Sequence, residues 1–300
     1  MNMLVTGATG FLGKTLVFRL LNMGHTVYGL GRNKEIGNTL AEKGMQFICG
    51  DLADEQVVVD ACKGVDYVFH CGAFSSPWGK YENFYNANVV GTKHVIQGCL
   101  THHVKRLIHV STPSLYFHYD DKENVKESDP LPAKFVNFYA ETKYMGEQLI
   151  DEAFKEGLAV VTIRPRAIFG PGDNAILPRL IQTNQEKFIP LIKEGKNLLD
   201  LTYVENVVDA LLLCMTSPES TLGEKYNITN GEQVPFVEVL SEAFQQLNIP
   251  FHTKTSLDFF QSLKLFEDSL IANTLPTRLY TILENTEHYP TIYLNTIKQI

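Results

Sequence analysis

Short apolar runs alternate with longer stretches of helical spacing through the first half of the chain. A short apolar run is typical of a buried strand, whereas apolar residues that recur every three or four positions are typical of an amphipathic helix. Strands are expected at 3–5, 26–30, 45–49, 65–70, 106–110 and 160–163, and helices near 14–21, 54–63, 82–103 and 137–156. Because strands alternate with helices, the pattern predicts an α/β fold with a doubly wound parallel sheet.

The turn after the first expected strand reads Thr-Gly-Ala-Thr-Gly-Phe-Leu-Gly at residues 6–13. Gly7 permits a tight turn, Gly10 lets backbone N–H groups approach a pyrophosphate, and Gly13 lets the next helix pack close to the strand. The N-terminus of that helix then faces the phosphate charge. The turn predicts a dinucleotide-binding site with contacts from Gly7, Thr9, Gly10, Phe11, Leu12 and Gly13.

A Rossmann-type domain that binds NAD(P) is therefore expected over residues 1–170. Residues 171–300 are expected to form mainly a smaller C-terminal substrate lobe, with segments near 200–230 returning to the Rossmann sheet. Within that return, residues 225–228 have the pattern of a strand. The amphipathic, Phe-rich stretch at 256–266 fits a lid over a lipophilic substrate, a dimer face or an ordinary core helix.

Composition and charge narrow the range of partners. The net charge of −8 at pH 7 argues against a nucleic-acid or anionic-membrane surface. No apolar run approaches the ~20 residues that cross a bilayer, and the first strand begins too early to leave room for a cleavable signal. The cysteines form no close pairs, so we expect neither a metal site nor a disulfide framework. These features predict a cytoplasmic protein with reduced thiols, without a nucleic-acid or membrane partner.

The ends of the second and third strands indicate which dinucleotide is bound. An acidic residue after the second strand would bind ribose hydroxyls and favour NAD, but residues 30–33 contain no carboxylate. A small residue followed by Arg32 suits a 2′-phosphate, so NADP(H) is the preferred cofactor and NAD(H) the alternative. An ordinary surface arginine is the competing interpretation. Asp51 and Leu52 are expected at the adenine, and Asp51 could also cap the helix that starts near Asp54.

Tyr139 and Lys143 form the expected catalytic pair. Positions i and i+4 share one helix face, and an ammonium there lowers the pKa of a tyrosine from ~10 towards the working range. Tyr139 would then donate a proton to a carbonyl, or accept one from an alcohol, near neutral pH. A cluster of hydroxyls at 111–116 follows the fifth strand. One of these hydroxyls should hydrogen-bond the substrate oxygen as charge develops on it.

Together these motifs resemble the extended short-chain dehydrogenase/reductase family. The resemblance runs from residue 3 to about 235, and its motifs lie at 6–13, 50–52, 70–73, 88–92, 139–143 and 164–173. It implies that Thr112 is the catalytic hydroxyl, with Ser111 as neighbour or substitute. It also assigns Lys143 to the nicotinamide ribose hydroxyls, and it implies a homodimer formed through helices near 89–103 and 137–156.

The same resemblance implies further residues near the cofactor. Asn88 would support the active-site loop or a proton-relay water, and Cys71, Gly72 and Ala73 would line the cofactor. For these residues, packing or capping is an open alternative. Pro165, in the motif at 164–173, is also assigned to the cofactor. Family members usually end with a Leu-Gly-Tyr and Pro element that Ile300 precedes, which indicates a truncated or divergent C-terminus.

A narrower resemblance concerns the substrate. The motifs at 75–79, 111–117, 201–210 and 226–232 resemble a branch that joins 3β-hydroxysteroid dehydrogenase-like proteins and 2-alkyl-3-oxoalkanoate reductases. It implies a hydrophobic substrate, because Phe117 stands where sugar-nucleotide epimerases usually carry glycine. The candidate substrate contacts are Ser75, Trp78, Ser114 and Arg166. Trp78 would wall the pocket or fill the core, and Arg164 would bind a substrate carboxylate or pin the end of the sheet.

These features predict an NAD(P)H-dependent oxidoreductase that passes hydride to a ketone, or takes it from the corresponding alcohol. The expected substrate is a small hydrophobic molecule such as a 3-oxo acid or a sterol-like compound. Two alternatives stay open at this point: a sugar-nucleotide epimerase or dehydratase that retains NAD, and a non-catalytic NADPH-binding sensor. An intact Tyr139 and Lys143 argue against the sensor, which has no need of that pair.

Overall fold

A computed structural model describes residues 1–76, 78–118, 122–173 and 176–255 of the chain. The strands are β1 Asn2–Thr6, β2 Thr26–Gly31, β3 Gln46–Cys49, β4 Tyr67–His70, β5 Arg106–Val110, β6 Val160–Pro165, β7 Ile168–Phe169, β8 Ile189–Leu191, β9 Leu198–Asp200, β10 Thr202–Tyr203, β11 Lys225–Ile228, β12 Gln233–Pro235 and β13 Thr253–Thr255. The helices are α1 Phe11–Asn22, α2 Lys34–Ala41, α3 Glu55–Ala61, α4 Tyr81–Tyr85, α5 Gly91–Thr101, α6 Phe138–Lys155, α7 Leu177–Glu186, α8 Val204–Thr216 and α9 Phe236–Gln246. The stretch at 256–266 lies outside the described residues.

The chain divides into two compact units. The first comprises Met1–Pro165 and Glu205–Ile228, and the second comprises Arg166–Val204 and the described residues from Thr229 to Thr255. None of the described helices is both long and apolar enough to cross a membrane.

The first unit is built on a parallel sheet of seven strands in the order β3-β2-β1-β4-β5-β6-β11. In its centre, Val5 of β1 pairs with Gly29 of β2 and with Phe69 of β4. At one edge, β11 pairs with β6 in the register Lys225 to Thr162. The sheet and its flanking helices confirm the predicted doubly wound α/β fold. Because the strands are parallel, the carboxyl ends of all seven lie on the same side of the sheet.

Apolar side chains from three helices pack against one face of this sheet. Val58 of α3, Val95 of α5 and Ile150 of α6 are fully buried or nearly so. They share a core cluster with strand residues such as Leu4 and Leu107, both fully buried. This packing orients α6, the helix that carries Tyr139 and Lys143, along the sheet.

The helix expected at 82–103 is divided by a widened turn. Between α4 and α5, residues Asn86–Val90 are π-helical. A Cβ added at Gly146 of α6 would lie 2.8 Å from the carbonyl oxygen of Asn88, so the two backbones approach closely here. The widened turn therefore faces α6, and it carries Asn88, one of the predicted site residues.

The second unit has its own core. Its strands pair as β7 with β10, β8 with β13, and β9 with β12, the last pair being antiparallel. Helices α7 and α9 supply apolar side chains to the cluster, including Leu180, Leu240 and Phe244. Phe244 and Phe251 stack with their ring centroids 5.1 Å apart.

Candidate active site

The glycine-rich turn between β1 and α1 has the geometry of a phosphate cradle. Gly7 adopts φ +67°, and a Cβ there would lie 2.6 Å from Gly72 Cα. A Cβ at Gly13 would lie 2.2 Å from the carbonyl oxygen of Gly7, so α1 can pack this close only without a side chain. Gly10 is the N-cap of α1 and brings no side chain to bond the first amides of the helix. These amides suit a pyrophosphate, so the residues present fit a dinucleotide.

Residues that follow β4 lie directly beside this cradle. The Gly72 amide donates to Thr6 Oγ1 at 3.1 Å, and a Cβ at Gly72 would lie 2.8 Å from the side chain of Leu52. Cys71 and Ala73 flank this contact and are half-buried. Burial raises the pKa of the Cys71 thiol to about 12, with a smaller opposing effect of Lys143. The thiol therefore stays neutral and suits a lining role rather than nucleophilic chemistry.

The ends of β2 and β3 meet at a charged corner. Arg32 is exposed, and its Nη1 lies 3.4 Å from Asp51 Oδ2. Asp51 Oδ1 accepts from the Ala53 amide at 2.9 Å, whereas Asp54 caps α3 by accepting from the Val57 amide. The prediction that Asp51 caps this helix is therefore wrong: Asp51 holds the turn before it.

Thr9 fills the space at the end of β2. A Cβ at Gly31 would lie 2.7 Å from Thr9 Oγ1, so a longer side chain at 31 requires Thr9 to move. Arg32, the first residue after the strand, has a long and exposed side chain. Asn33 caps α2 by accepting from the Ile36 amide at 3.0 Å, which sets the N-terminus of that helix beside Arg32. The sequence signal for this cap was an Asn directly before a helical stretch.

The helix α6 carries Tyr139 and Lys143, the predicted catalytic pair, in the first unit. Asn137 caps it by accepting from the Ala140 amide at 2.8 Å, and Tyr139 lies half-buried in its first turn. Lys143, one turn later, is 2% exposed, and its Nζ donates to the carbonyl oxygen of Val110 at 2.8 Å. Burial lowers the pKa of Lys143 to about 8, although the attraction of Glu147 opposes that shift.

The hydroxyl cluster after β5 forms a compact turn. Thr112 caps the 3₁₀ segment Pro113–Tyr116, since its Oγ1 accepts from the Ser114 amide and lies 3.1 Å from Ser114 Oγ. Ser111 is buried, and its hydroxyl oxygen has no hydrogen-bond partner within the described parts of the chain. Its amide is held by the Ile163 carbonyl of β6. The turn thus presents hydroxyls one residue beyond Val110, the carbonyl to which Lys143 is anchored.

Asn88 is buried and connects the widened turn to its neighbours. Its Oδ1 accepts from the Phe74 amide at 2.8 Å, while its Nδ2 donates to Phe74 O and to Thr142 Oγ1. Both amide hydrogens are therefore used within the protein. These bonds tie residue 74 to the helix that carries Tyr139 and Lys143.

A buried ion pair joins α6 to β6, and we call it, with the tyrosine that Arg164 also contacts, the Glu147–Arg164–Tyr116 network. Arg164 is 3% exposed, and its Nε and Nη2 donate to the two carboxylate oxygens of Glu147 at 2.8 and 2.5 Å. Its Nη1 donates to the Tyr116 hydroxyl. Arg164 is committed to these partners, so the prediction that it binds a substrate carboxylate is wrong. The sequence signal for an internal partner was Glu147, which lies four residues after Lys143 and therefore on the same face of the helix.

Two buried histidines lie near Lys143, and the sequence pattern indicated no role for either ring. His70 of β4 and His109 of β5 are neighbours in the sheet, with ring centroids 5.3 Å apart. Burial lowers the pKa of His70 to about 3 and that of His109 well below its usual value. His70 bonds Thr6 and Thr92, while neither ring nitrogen of His109 has a partner within the described ranges. Both rings are therefore neutral near pH 7.

The remaining predicted residues are two exposed residues that follow β4 and two less exposed residues at the end of β6 and directly after it. Ser75 is exposed and Trp78 is 50% exposed, so the alternative that Trp78 fills the core is wrong. Pro165 is buried at the end of β6, where it pairs with Ile228. Arg166 begins the second unit and is half-buried, and its charge opposes the effect of burial on Asp200, whose pKa is raised.

Residues 3–229 match the model of the NAD dependent epimerase/dehydratase family. The chain belongs to this family. Over 255 residues it is 37% identical to a 2-alkyl-3-oxoalkanoate reductase of Stenotrophomonas maltophilia, across 83% of this chain and 77% of the relative. Over 300 residues it is 35% identical to the sterol-4-alpha-carboxylate 3-dehydrogenase, decarboxylating, of Mus musculus, across 95% of this chain and 82% of the relative.

Solved structures of the epimerase/dehydratase family share the fold. The chain matches MoeE5 in complex with UDP-glucose and NAD with a TM-score of 0.72 and 28% identity, across 85% of each chain. It also matches the UDP-glucuronic acid 4-epimerase of Bacillus cereus with a TM-score of 0.75, across 100% of this chain and 97% of that one; at 23% identity this likeness concerns the fold alone. The family model and the relatives confirm the predicted family, its branch and an NAD(P)-dependent oxidoreductase, and the solved structures confirm the fold.

Proposed function

We propose that this protein reduces a ketone on a hydrophobic substrate, with NADPH as the preferred hydride donor. The observation that carries the proposal is the placement of Lys143. Its buried amine, anchored to Val110 at the start of the hydroxyl turn, lies one helical turn after Tyr139. A buried ammonium in this position favours the phenolate form of a tyrosine, which is what proton transfer to a carbonyl oxygen near neutral pH requires.

Several residues have distinct parts in the proposed reaction. The dinucleotide supplies hydride to the carbonyl carbon when it is bound at the glycine cradle. Tyr139 donates its phenolic proton to the carbonyl oxygen, and Thr112 donates a hydrogen bond to the same oxygen, with Ser111 as the substitute. Lys143 provides the positive charge, and it is also proposed to bond the ribose hydroxyls. Asn88 is proposed to act through the loop at Phe74.

The proposed preference for NADPH rests on the corner after β2. Arg32 is exposed beside the capped N-terminus of α2, and no carboxylate occupies residues 30–33. A guanidinium and a helix N-terminus both favour a phosphate group. Asp51, 3.4 Å from Arg32, is the carboxylate that a 2′-phosphate would displace as the partner of this arginine. The solved relatives were studied with NAD, so the proposal distinguishes this chain from them.

The proposed substrate class follows from the relatives and from the exposed apolar residues. The names of both relatives describe substrates that carry a carboxylate and are reduced or oxidised at carbon 3. Trp78 and Phe138, which precedes Tyr139, are about half exposed and offer apolar surface in the first unit. Ser75 and Ser114 are further candidates for substrate contacts. Arg166 is the candidate partner of a carboxylate.

The decisive experiment combines cofactor analysis with turnover. The purified protein is denatured and the released dinucleotide identified, and the native protein is then assayed with NADPH on 2-alkyl-3-oxoacids, ketosteroids and UDP-sugars. We expect little retained cofactor and reduction of the lipophilic 3-oxo compounds. Tightly retained NAD with turnover of a UDP-sugar would replace the proposal with an epimerase, the candidate that the likeness to MoeE5 supports. NADPH binding without any turnover would favour a sensor.

The assembly and location are proposed separately. We propose a homodimer that pairs the surfaces of α5 and α6 in a cytoplasmic protein. Leu100 of α5 and Phe154 of α6 are 38% and 39% exposed, which gives these helices apolar surface for such an interface. Sedimentation of the purified chain tests the dimer, and a charged residue at position 154, as in Phe154→Glu, is expected to yield monomers.

A further inference from the structure

We propose that the Glu147–Arg164–Tyr116 network is a positioning device for the reaction: it ties the hydroxyl turn 111–116 to the catalytic helix, and so fixes Thr112 relative to Tyr139. This inference rests on the proposed function and deepens it, because it assigns parts to residues that carry none in the chemistry. The three are positioning residues, since they act through Lys143 and through the turn.

The first half of the connection lies on α6 and β6. Tyr139, Lys143 and Glu147 follow one another at intervals of four residues, so they share one face of the helix. Glu147 is 1% exposed, and the guanidinium of Arg164 grips its carboxylate with two hydrogen bonds of 2.8 and 2.5 Å. A two-point contact between planar groups fixes direction as well as distance, so α6 cannot slide or rotate against β6 without breaking it.

The second half runs from Arg164 to the hydroxyl turn. The third nitrogen of the guanidinium donates to the Tyr116 hydroxyl, and its central carbon lies 5.1 Å from the centroid of the Tyr116 ring. Tyr116 is 3% exposed and is the last residue of the 3₁₀ segment that Thr112 caps. The turn is thus held at both ends: at Ser111 by the hydrogen bond of its amide to the Ile163 carbonyl of β6, and at Tyr116 by Arg164.

A contact that served stability alone would not require a glutamate and an arginine. Burying two charges costs desolvation energy, and well-packed apolar residues stabilise a core as well as a buried ion pair does. What apolar residues lack is the directional fork of the guanidinium. Glu147 also acts electrostatically on the site, because its carboxylate raises the pKa of Lys143 against the effect of burial. Both properties concern the geometry and charge of the catalytic pair.

The variant Tyr116→Phe removes one hydroxyl and keeps the ring. We expect kcat to fall about tenfold or more, because the charged donor Arg164 loses the hydroxyl that accepts its hydrogen bond and the turn loses its connection to α6, while KM changes less than about twofold. Amide hydrogen exchange across 111–116 should become faster at the same time. The matched control is Tyr28→Phe, which removes the same hydroxyl from a half-buried tyrosine in β2. Unchanged kcat and unchanged exchange relative to this control overturn the proposal.

Two further variants cover a failure of Tyr116→Phe to fold. Arg164→Lys keeps the positive charge but removes the fork, and it should produce the same loss of kcat and the same faster exchange. Glu147→Gln removes the attraction on the Lys143 ammonium, so the alkaline limb of kcat against pH should move to lower pH. A role limited to stability would lower the unfolding temperature of these variants without moving the limb or changing exchange in the turn.

Hydrogen exchange separates this proposal from the proposed function, since it needs no substrate. A wild-type chain that reduces no carbonyl compound refutes the proposed function, and normal exchange at 111–116 in Tyr116→Phe then refutes the tethering as well. An active wild type with an equally active Tyr116→Phe leaves the function standing and refutes the network alone. Faster exchange in the variant of an active enzyme, with reduced kcat, supports both.

Discussion

Tyr139 is the residue whose single oxygen the proposed proton transfer requires. Tyr139→Phe removes that oxygen while the ring and the helix around it stay in place, so we expect kcat to fall ~10²- to 10⁴-fold. The dissociation constant for NADPH should change less than about twofold, because the glycine cradle is untouched. Steady-state kinetics and fluorescence titration measure the two quantities. A fully active Tyr139→Phe protein would eliminate the mechanism.

The buried amine of Lys143 sets an upper pH for the reaction. Its pKa is lowered by burial to about 8, so the ammonium is present below that pH and is lost as the pH rises through it. The proposed reduction needs the positive charge, and kcat should therefore decline above about pH 8. The measurement is kcat against pH with saturating NADPH. Lys143→Arg should keep its charge to higher pH, and Lys155→Arg, at an exposed position of α6, is the control.

The sequence located these residues but not their surroundings. Residue spacing alone predicts that Tyr139 and Lys143 share a helix face, because the interval of four is a local property of helices. The pairing of Arg164 with Glu147 does not follow from spacing in this way, because the two residues meet only when α6 packs beside β6. An arginine at the end of a strand suits a substrate anion or an internal carboxylate equally well, and only the packing distinguishes them.

At the scale of secondary structure, β4 and β5 bury two neutral histidines side by side. The pKa of each ring is lowered in the folded state, whereas a histidine in the unfolded chain has its ordinary pKa near 6.5. Below that pH, the unfolded chain therefore binds more protons than the folded protein. Stability should therefore fall as the pH falls from about 6.5 towards 3. By linkage, His70, whose pKa is lowered to about 3, contributes about 2 kcal/mol of destabilisation between pH 7 and pH 5, and His109 acts in the same direction.

His109→Leu tests this expectation. The ring nitrogens of His109 have no partner within the described ranges, so an apolar residue should be tolerated at pH 7. The difference in unfolding free energy between pH 7 and pH 5, from urea titrations, should be smaller than in wild type. His118→Leu, at an exposed position, is the control. An unchanged difference in the His109 variant would show that this histidine titrates normally.

Elements were predicted well where their signal is local. The strands at the centre of the sheet and the helix α6 follow from apolar runs and helical spacing within a few residues of the expected bounds. The expected helix at 82–103 is interrupted by the π-helical turn Asn86–Val90. Nothing local in the sequence requires that turn. It accompanies the close approach of Gly146 to Asn88, which is a contact between two distant parts of the chain.

At the scale of the whole molecule, the cradle and Arg32 both belong to the first unit, so cofactor binding should stabilise that unit. A ligand at a hundred times its dissociation constant contributes about 2.7 kcal/mol. Arg32→Ala should weaken NADPH binding by roughly 10- to 100-fold and leave NADH binding nearly unchanged. Thermal unfolding with each dinucleotide, beside Lys63→Ala at an exposed position, measures the difference. Equal losses for both dinucleotides would refute a role in 2′-phosphate recognition.

The order of segments in the first unit has a consequence for synthesis on the ribosome. The strand β6 ends at Pro165, but its outer neighbour β11 begins only at Lys225. While the intervening residues are being translated, the nascent sheet presents β6 as an open edge, the kind of surface on which chains pair wrongly. Translation past Ile228 supplies the last strand and covers that edge. Premature termination between these two strands should therefore yield an aggregation-prone product rather than a smaller, stable cofactor-binding fragment.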